Sequence, residues 1–314
     1  MKSAAIITGP YTYLDHLGVL SSILGIPLIV VDEKTYELGK KFYPDMQIEL
    51  KDYSELTLDY LAQNIEVLFQ TGKFWAEDLI PFIKLLHLKE IRVVYCPHGN
   101  SDKGHSLSDT ITQDISLVYG QHMLDHLKKT KTQVRKTITT GNYRYPYYLK
   151  HQQFYDELTK NIPSENTIFY APTWNDTSFF SSIDSLVANL GKYNLLIKLH
   201  PFLEEHYPAH TYHILSKYEN HPHVFIINDF PPIYPLLAKA SLYLGDYSSI
   251  GYDFLAFDRP LYFLTLNNNF ALDKCGMHIP RGVDIVSFIG STFEKNRKGF
   301  AKAREETYKY VFTN

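Results

Sequence analysis

Short apolar runs alternate with helix-length stretches along most of the chain. In the first half, Ala4–Thr8, Pro27–Val31, Glu66–Gln70, Arg92–Cys96, Ser116–Tyr119 and Thr137–Thr140 read as strands, and Tyr13–Leu24 and Ala76–Leu88 as helices. Short unbroken apolar runs suit strands buried on both faces, and intervening helices supply the cover that a parallel sheet needs. The pattern then restarts. Thr167–Tyr170, Asn194–Leu199, Val224–Asn228, Leu242–Leu244 and Pro260–Leu264 read as strands. Ser181–Asn189, Pro208–Glu219, Ile233–Ala238 and Ser249–Phe257 read as helices, as does the charged tail Phe293–Tyr310. The expected fold class is therefore α/β, with two Rossmann-like doubly wound domains facing a central cleft. Tyr143-Arg144-Tyr145-Pro146 reads as a break in regular structure. The expected domains are 1–145 and 146–314, with the final helix packing back toward the first domain.

Composition excludes several classes of function. The 314 residues suffice for two domains. A formal charge of −3 argues against a general nucleic-acid binder, which is usually basic. Cys96 and Cys275 form neither a CxxC pair nor a Cys/His ligand spacing, so a reducing, cytoplasmic setting fits and no metal is expected. No run approaches the roughly 18 apolar residues of a membrane span, and the opening Met1–Ile7 reads as a first strand rather than a leader.

In a doubly wound sheet, ligands meet residues just past the carboxyl ends of strands. Four clusters have that position. In Gly245–Asp253, Ser248 and Ser249 open a helix, where free amides and hydroxyls suit a phosphate; plain N-capping is the alternative. In Lys198-Leu199-His200-Pro201, the Lys and His share one side of a strand end, and His200 is either an anion donor or a structural histidine. Tyr170–Asp176 carries Thr173 and Trp174 on a loop that either lines a cleft or packs as a hinge. In Cys96–Gly104, His98 precedes Gly99, which makes it a candidate base or simply part of a turn.

Taken in order, these clusters resemble the CDP-glycerol glycerophosphotransferase family. The matching pieces are His98-Gly99 with Lys103, Gly141-Asn142-Tyr143-Arg144, Tyr170–Trp174, Lys198–Pro201, and Asp246–Ser249 with Asp253 and Arg259-Pro260. The resemblance implies a GT-B fold and transfer of a polyol phosphate from a CDP-activated donor to an acceptor hydroxyl, with release of CMP, in cell-surface polymer synthesis. It implies His98 as base, with His200 aiding the leaving group. It places the donor phosphates at Ser248, Ser249, Lys198 and Tyr247. Thr173, Trp174, Asn228, Asp246 and Asp253 would surround the nucleotide, with Asp253 holding its loop, and Gly99, Lys103 and Arg144 would face the acceptor. No cofactor or metal is implied. The implied partners are the donor and a polyol-phosphate, glycan or lipid-linked acceptor, with peripheral contact at the inner face of the cell membrane. Departures at Asn100-Ser101-Asp102 and Tyr143 fall on the acceptor side. Two rival readings stand beside this one: a sugar-nucleotide glycosyltransferase or UDP-sugar epimerase of the same fold, and a non-catalytic nucleotide-binding protein.

Overall fold

The computed structural model describes residues 2–100, 102, 109–174, 177–264 and 270–312. The chain forms two compact units. Unit 1 comprises Met1–His151 with Phe230–Pro232 and Tyr310–Asn314; unit 2 comprises Gln152–Asp229 and Ile233–Lys309.

Unit 1 is built on strands Ser3–Ile7 (β1), Leu28–Val30 (β2), Ile48–Leu50 (β3), Val67–Gln70 (β4), Arg92–Tyr95 (β5), Ile115–Val118 (β6) and Thr137–Thr139 (β7). All pair in parallel, in the order β3-β2-β1-β4-β5-β6-β7. Helices Leu17–Leu24 (α1), Glu33–Phe42 (α2), Leu58–Asn64 (α3), Ile80–His87 (α4), Gln121–Lys129 (α5) and Arg144–Lys150 (α6) connect and follow the strands. Strand order reverses between β1 and β4, the topological switch point at which connections in such sheets run to opposite faces.

Unit 2 repeats the plan with Thr167–Ala171 (β8), Asn194–Ile197 (β9), Val224–Ile226 (β10), Leu242–Gly245 (β11), Leu261–Phe263 (β12) and Met277–His278 (β13). Its parallel order, β10-β9-β8-β11-β12-β13, reverses between β8 and β11. Its helices are Gln152–Leu158 (α7), Phe179–Ala188 (α8), Pro201–His206 (α9), Pro208–Tyr218 (α10), Tyr234–Lys239 (α11), Ser249–Phe254 (α12), Ile285–Gly299 (α13) and Ala301–Phe312 (α14), the last of which passes into unit 1 at Tyr310. β8, β9 and β11 are buried almost throughout, and Ile168, Leu195, Ile197, Leu242 and Leu244 join Leu186 and Ile289 from the covering helices in one core.

The two-sheet α/β class is the expected one, but some boundaries differ. The segment read as a break at Tyr143–Pro146 opens α6 instead. Pro146 falls in the first turn, where a missing N–H costs no intrahelical bond. Tyr13–Leu24 is not one helix: a 3₁₀ turn over Tyr11–Asp15 precedes α1. β9 ends at Ile197, so Lys198 and His200 lie beyond the strand rather than on one side of it. Among the described residues, no helix is long and apolar enough to cross a membrane.

Candidate functional site

In unit 2 the carboxyl edge of the sheet gathers most of the expected residues at the β8/β11 reversal. Asp246, directly after β11, is buried and accepts hydrogen bonds from the backbone N–H of Thr173 at 2.9 Å and of Ser178 at 3.2 Å. One carboxylate therefore ties the loop after β8 to the loop after β11. Asp246 acts as a strut and leaves Thr173 fixed beside the helix that follows. Gly245 makes this possible. A Cβ there would meet the Ala171 carbonyl at 2.7 Å and the Tyr243 hydroxyl at 2.8 Å, the same hydroxyl that donates to the Asp246 carbonyl at 3.0 Å.

Ser248 is the N-cap of α12, and its hydroxyl accepts from the Ile250 N–H at 3.3 Å. The capping alternative is thus realised for Ser248. Ser249, the first helical residue, is half-buried, and its hydroxyl has no partner among the described residues. That hydroxyl and the amides of the first turn are what this tip can offer to an anion. Asp253, one turn on, is buried and accepts from the Tyr234 hydroxyl at 3.2 Å, a scaffold role.

Tyr247 departs from the expected phosphate role. Its hydroxyl donates to the Asp273 carboxylate and lies 3.2 Å from His278 Nε2, and its ring stacks on Phe263. The side chain is committed to packing, which leaves the backbone of Tyr247 as its contribution at the helix approach. The Asp273 and His278 partners went unnoticed in the sequence because their pairing depends on β13, a two-residue strand with no periodic signal.

His200 caps α9. The Phe202 N–H donates to its Nδ1 at 3.2 Å. An accepting Nδ1 carries no proton, so the neutral ring holds its proton on Nε2 and presents a donor there. Lys198 is buried two residues before it. Trp174 packs against this corner, 6.3 Å from the His200 ring, edge-on to Phe202 and stacked on His206 at 5.3 Å. Asn228 lies exposed after β10, next in line along the same edge.

Unit 1 presents a second group at its own carboxyl edge. His98 follows β5, and Gly99 after it has φ 131°, a conformation that favours glycine. The His98 ring is accessible to solvent yet closely surrounded by protein, with Tyr13 5.3 Å away, and this desolvation lowers its pKa below the ordinary histidine value. Desolvation of this kind favours the neutral imidazole over the imidazolium. Arg144 is not open to an acceptor. It is buried, donates to Asp15 at 2.9 Å and lies over the Tyr119 ring. Lys103 lies outside the described residues.

Sequence reading missed the layer beneath His98. Tyr119, the residue after β6, donates its hydroxyl to the Pro97 carbonyl at 3.0 Å and lies 2.8 Å from His16 Nδ1. Tyr143, at the position where the expected motif carries proline, bonds the His16 carbonyl at 3.3 Å and contacts Cys96 Sγ at 3.4 Å. Burial raises the Cys96 thiol to about 12, so it is a packed thiol and not a nucleophile. Among the described residues, no group of three or more His, Cys, Asp or Glu side chains is arranged to hold a metal ion.

Residues 99–270, more than half of the chain, match the family described as CDP-Glycerol:Poly(glycerophosphate) glycerophosphotransferase. The chain is 32% identical over 165 residues to the teichoic acid glycerol-phosphate primase of Bacillus spizizenii, a match covering 48% of this chain and 40% of that protein. It is 29% identical over 126 residues to the teichoic acid poly(glycerol phosphate) polymerase of Staphylococcus epidermidis, covering 36% and 16%. The matched stretch thus spans less than half of these relatives. In fold, the chain resembles the wall teichoic acid polymerase TagF soaked with CDPG, with a TM-score of 0.68 at 14% identity over 99% of this chain and 84% of that one. Anabaena HepE in complex with UDP-glucose gives a TM-score of 0.61 at 10% identity over 99% and 96%. By the family match over residues 99–270, the chain is a member of the CDP-glycerol:poly(glycerophosphate) glycerophosphotransferase family.

Proposed function

We propose that this protein transfers glycerol phosphate, or a closely related polyol phosphate, from a CDP-activated donor to an acceptor hydroxyl, releasing CMP. The observation that carries the reading is the β8/β11 reversal of unit 2. There, Asp246 ties the Thr173 loop to a helix tip whose Ser249 hydroxyl is uncommitted. The family membership supplies the donor class.

The acceptor oxygen attacks the β-phosphorus of the donor as its proton passes to the His98 imidazole. The new P–O bond forms as the bond from the β-phosphorus to the bridging oxygen breaks, and that oxygen leaves on CMP. Ser249, the amides of the α12 tip and His200 Nε2–H stabilise the charge that gathers on the leaving phosphate. Lys198 adds a cation beside them. In this reading protein donors neutralise CMP without a metal ion, and the polymer acceptor brings the enzyme to the inner face of the membrane.

The test is CMP release by the purified protein from CDP-glycerol and CDP-ribitol, each with a polyol-phosphate acceptor, with and without EDTA. Turnover that survives EDTA and falls on His98→Ala and Ser249→Ala supports the reading. Full turnover in both variants overturns the site, and no turnover with either donor overturns the activity.

A further inference from the structure

The His98 imidazole has to meet the acceptor hydroxyl in one orientation, yet it is the exposed side chain of an otherwise buried turn after β5. What fixes that turn lies one residue back. The Pro97 carbonyl accepts from the Tyr119 hydroxyl at 3.0 Å, inside the unit. A phenol has one proton to give, so Tyr119 must accept from its other neighbour, His16 Nδ1 at 2.8 Å. His16 is therefore the Nδ1–H tautomer, and a directed chain runs from His16 to Tyr119 to the Pro97 carbonyl.

We infer that Tyr119, oriented by His16, is the positioning residue for His98. The inference rests on the proposed role of His98 as base. Every member of the chain is buried, and each is held by a further contact. Tyr119 stacks on Tyr143 at 5.9 Å and meets Phe312 edge-on. The Tyr143 hydroxyl reaches the His16 carbonyl.

The charges around the chain suit a proton acceptor. Among the described residues, the titratable and charged groups around His16 and His98 include Tyr13 and Asp15 from the turn before α1, Cys96 after β5, Asp109 near Tyr13, Tyr119 after β6, and Tyr143 and Arg144 at α6. Arg144 pairs with Asp15 at 2.9 Å. Burial, then Arg144, then His98 hold the His16 pKa well below the histidine norm. Burial and the neighbouring cations thus disfavour an imidazolium at His16 beside a protonated His98.

The experiment follows the His98 ring itself. Histidine NMR titration of the whole protein gives the His98 pKa without any donor, and steady-state kinetics with CDP-glycerol give kcat and KM. In Tyr119→Phe the Pro97 carbonyl loses its donor and the turn loosens. The His98 pKa is expected to climb toward 6.5, with kcat falling about tenfold to a hundredfold and KM for CDP-glycerol unchanged. His16→Leu should do the same. His16→Asn keeps an N–H near the Nδ1 position and should recover most of the loss. A folded Tyr119→Phe protein with an unmoved His98 titration overturns the inference, as does equal loss in His16→Asn and His16→Leu. Absence of turnover in the unsubstituted protein instead counts against the transferase reading, and the titration still judges the positioning chain.

Discussion

A histidine that serves as a base at physiological pH must be neutral before the reaction and tolerate charge during it. Desolvation lowers the pKa of His98 and lowers that of His16 well below the histidine norm. The sign for stability follows from proton counting. Between the folded pKa and the ordinary value near 6.5, the unfolded chain binds more protons than the folded one, so stability rises with pH through that window. Melting temperature is therefore expected to hold above pH 6.5 and to drop as the pH falls below it. His16→Asn should flatten the part of that slope due to His16, a comparison that scanning calorimetry from pH 5 to 7.5 makes directly. For catalysis, His98→Ala is expected to cost about 10²–10⁴ in kcat. Loss of the Ser249 hydroxyl should cost up to about 10²–10³, as for a donor aimed at developing charge. Ser248→Ala should cost stability first, about 1 kcal/mol, because its hydroxyl already caps α12. A variant series in which Ser248→Ala lowers kcat more than Ser249→Ala at equal stability would reverse these assignments.

At the scale of elements, the close contact between the ends of β8 and β11 leaves no room for a side chain at Gly245. The neighbours of a Cβ at Gly245 include the Ala171 backbone carbonyl at 2.7 Å, which cannot move without breaking the sheet register. Gly245→Ala is expected to destabilise by about 1–3 kcal/mol, as overpacking does. It should also weaken donor binding, because it spreads the two loops that Asp246 ties. Asp246→Ala leaves the Thr173 and Ser178 amides without their acceptor, at about 1–3 kcal/mol for each group left unpaired in the interior. Urea unfolding checks both, and a Gly245→Ala protein as stable as the parent would contradict the steric argument. The same scale separates what the sequence made legible from what it hid. Buried strands such as β1, β5, β8, β9 and β11 stood out because both faces are covered and their apolar runs are unbroken. α2, β3, α3 and α5 were passed over. β3 is largely exposed and reads Ile-Glu-Leu, while α2 and α5 carry their apolar residues among many charges. The motif residues at strand ends were visible as residue types after apolar runs. The Asp246 strut, the Tyr247 hydroxyl and the His16–Tyr119 chain were not, because each joins segments far apart in the chain: 73 residues separate Asp246 from Thr173, and 103 separate His16 from Tyr119.

For the molecule as a whole, the fold alone leaves open which nucleotide it takes. One structural neighbour was solved with CDPG and another with UDP-glucose, and their likeness to this chain lies far below the identity at which a ligand could be transferred. Linkage turns that question into a measurement. A ligand that binds only the folded protein adds RT ln(1 + [L]/Kd), about 2.7 kcal/mol at a hundred times Kd. On the cytidine reading, CDP and CDP-glycerol should raise the melting temperature in a concentration-dependent manner, and UDP should not. The comparison also tests the assignment of sites. Ser249→Ala and Lys198→Met should shrink the CDP shift, because they remove donors at the carboxyl edge of unit 2. His98→Ala should leave it intact, because a base for the acceptor makes no contribution to holding the donor. Stabilisation by UDP but not CDP would move this chain from polyol-phosphate transfer to sugar-nucleotide chemistry. A CDP shift lost in His98→Ala but kept in Ser249→Ala would put the donor against unit 1 and exchange the roles given to the two sheets.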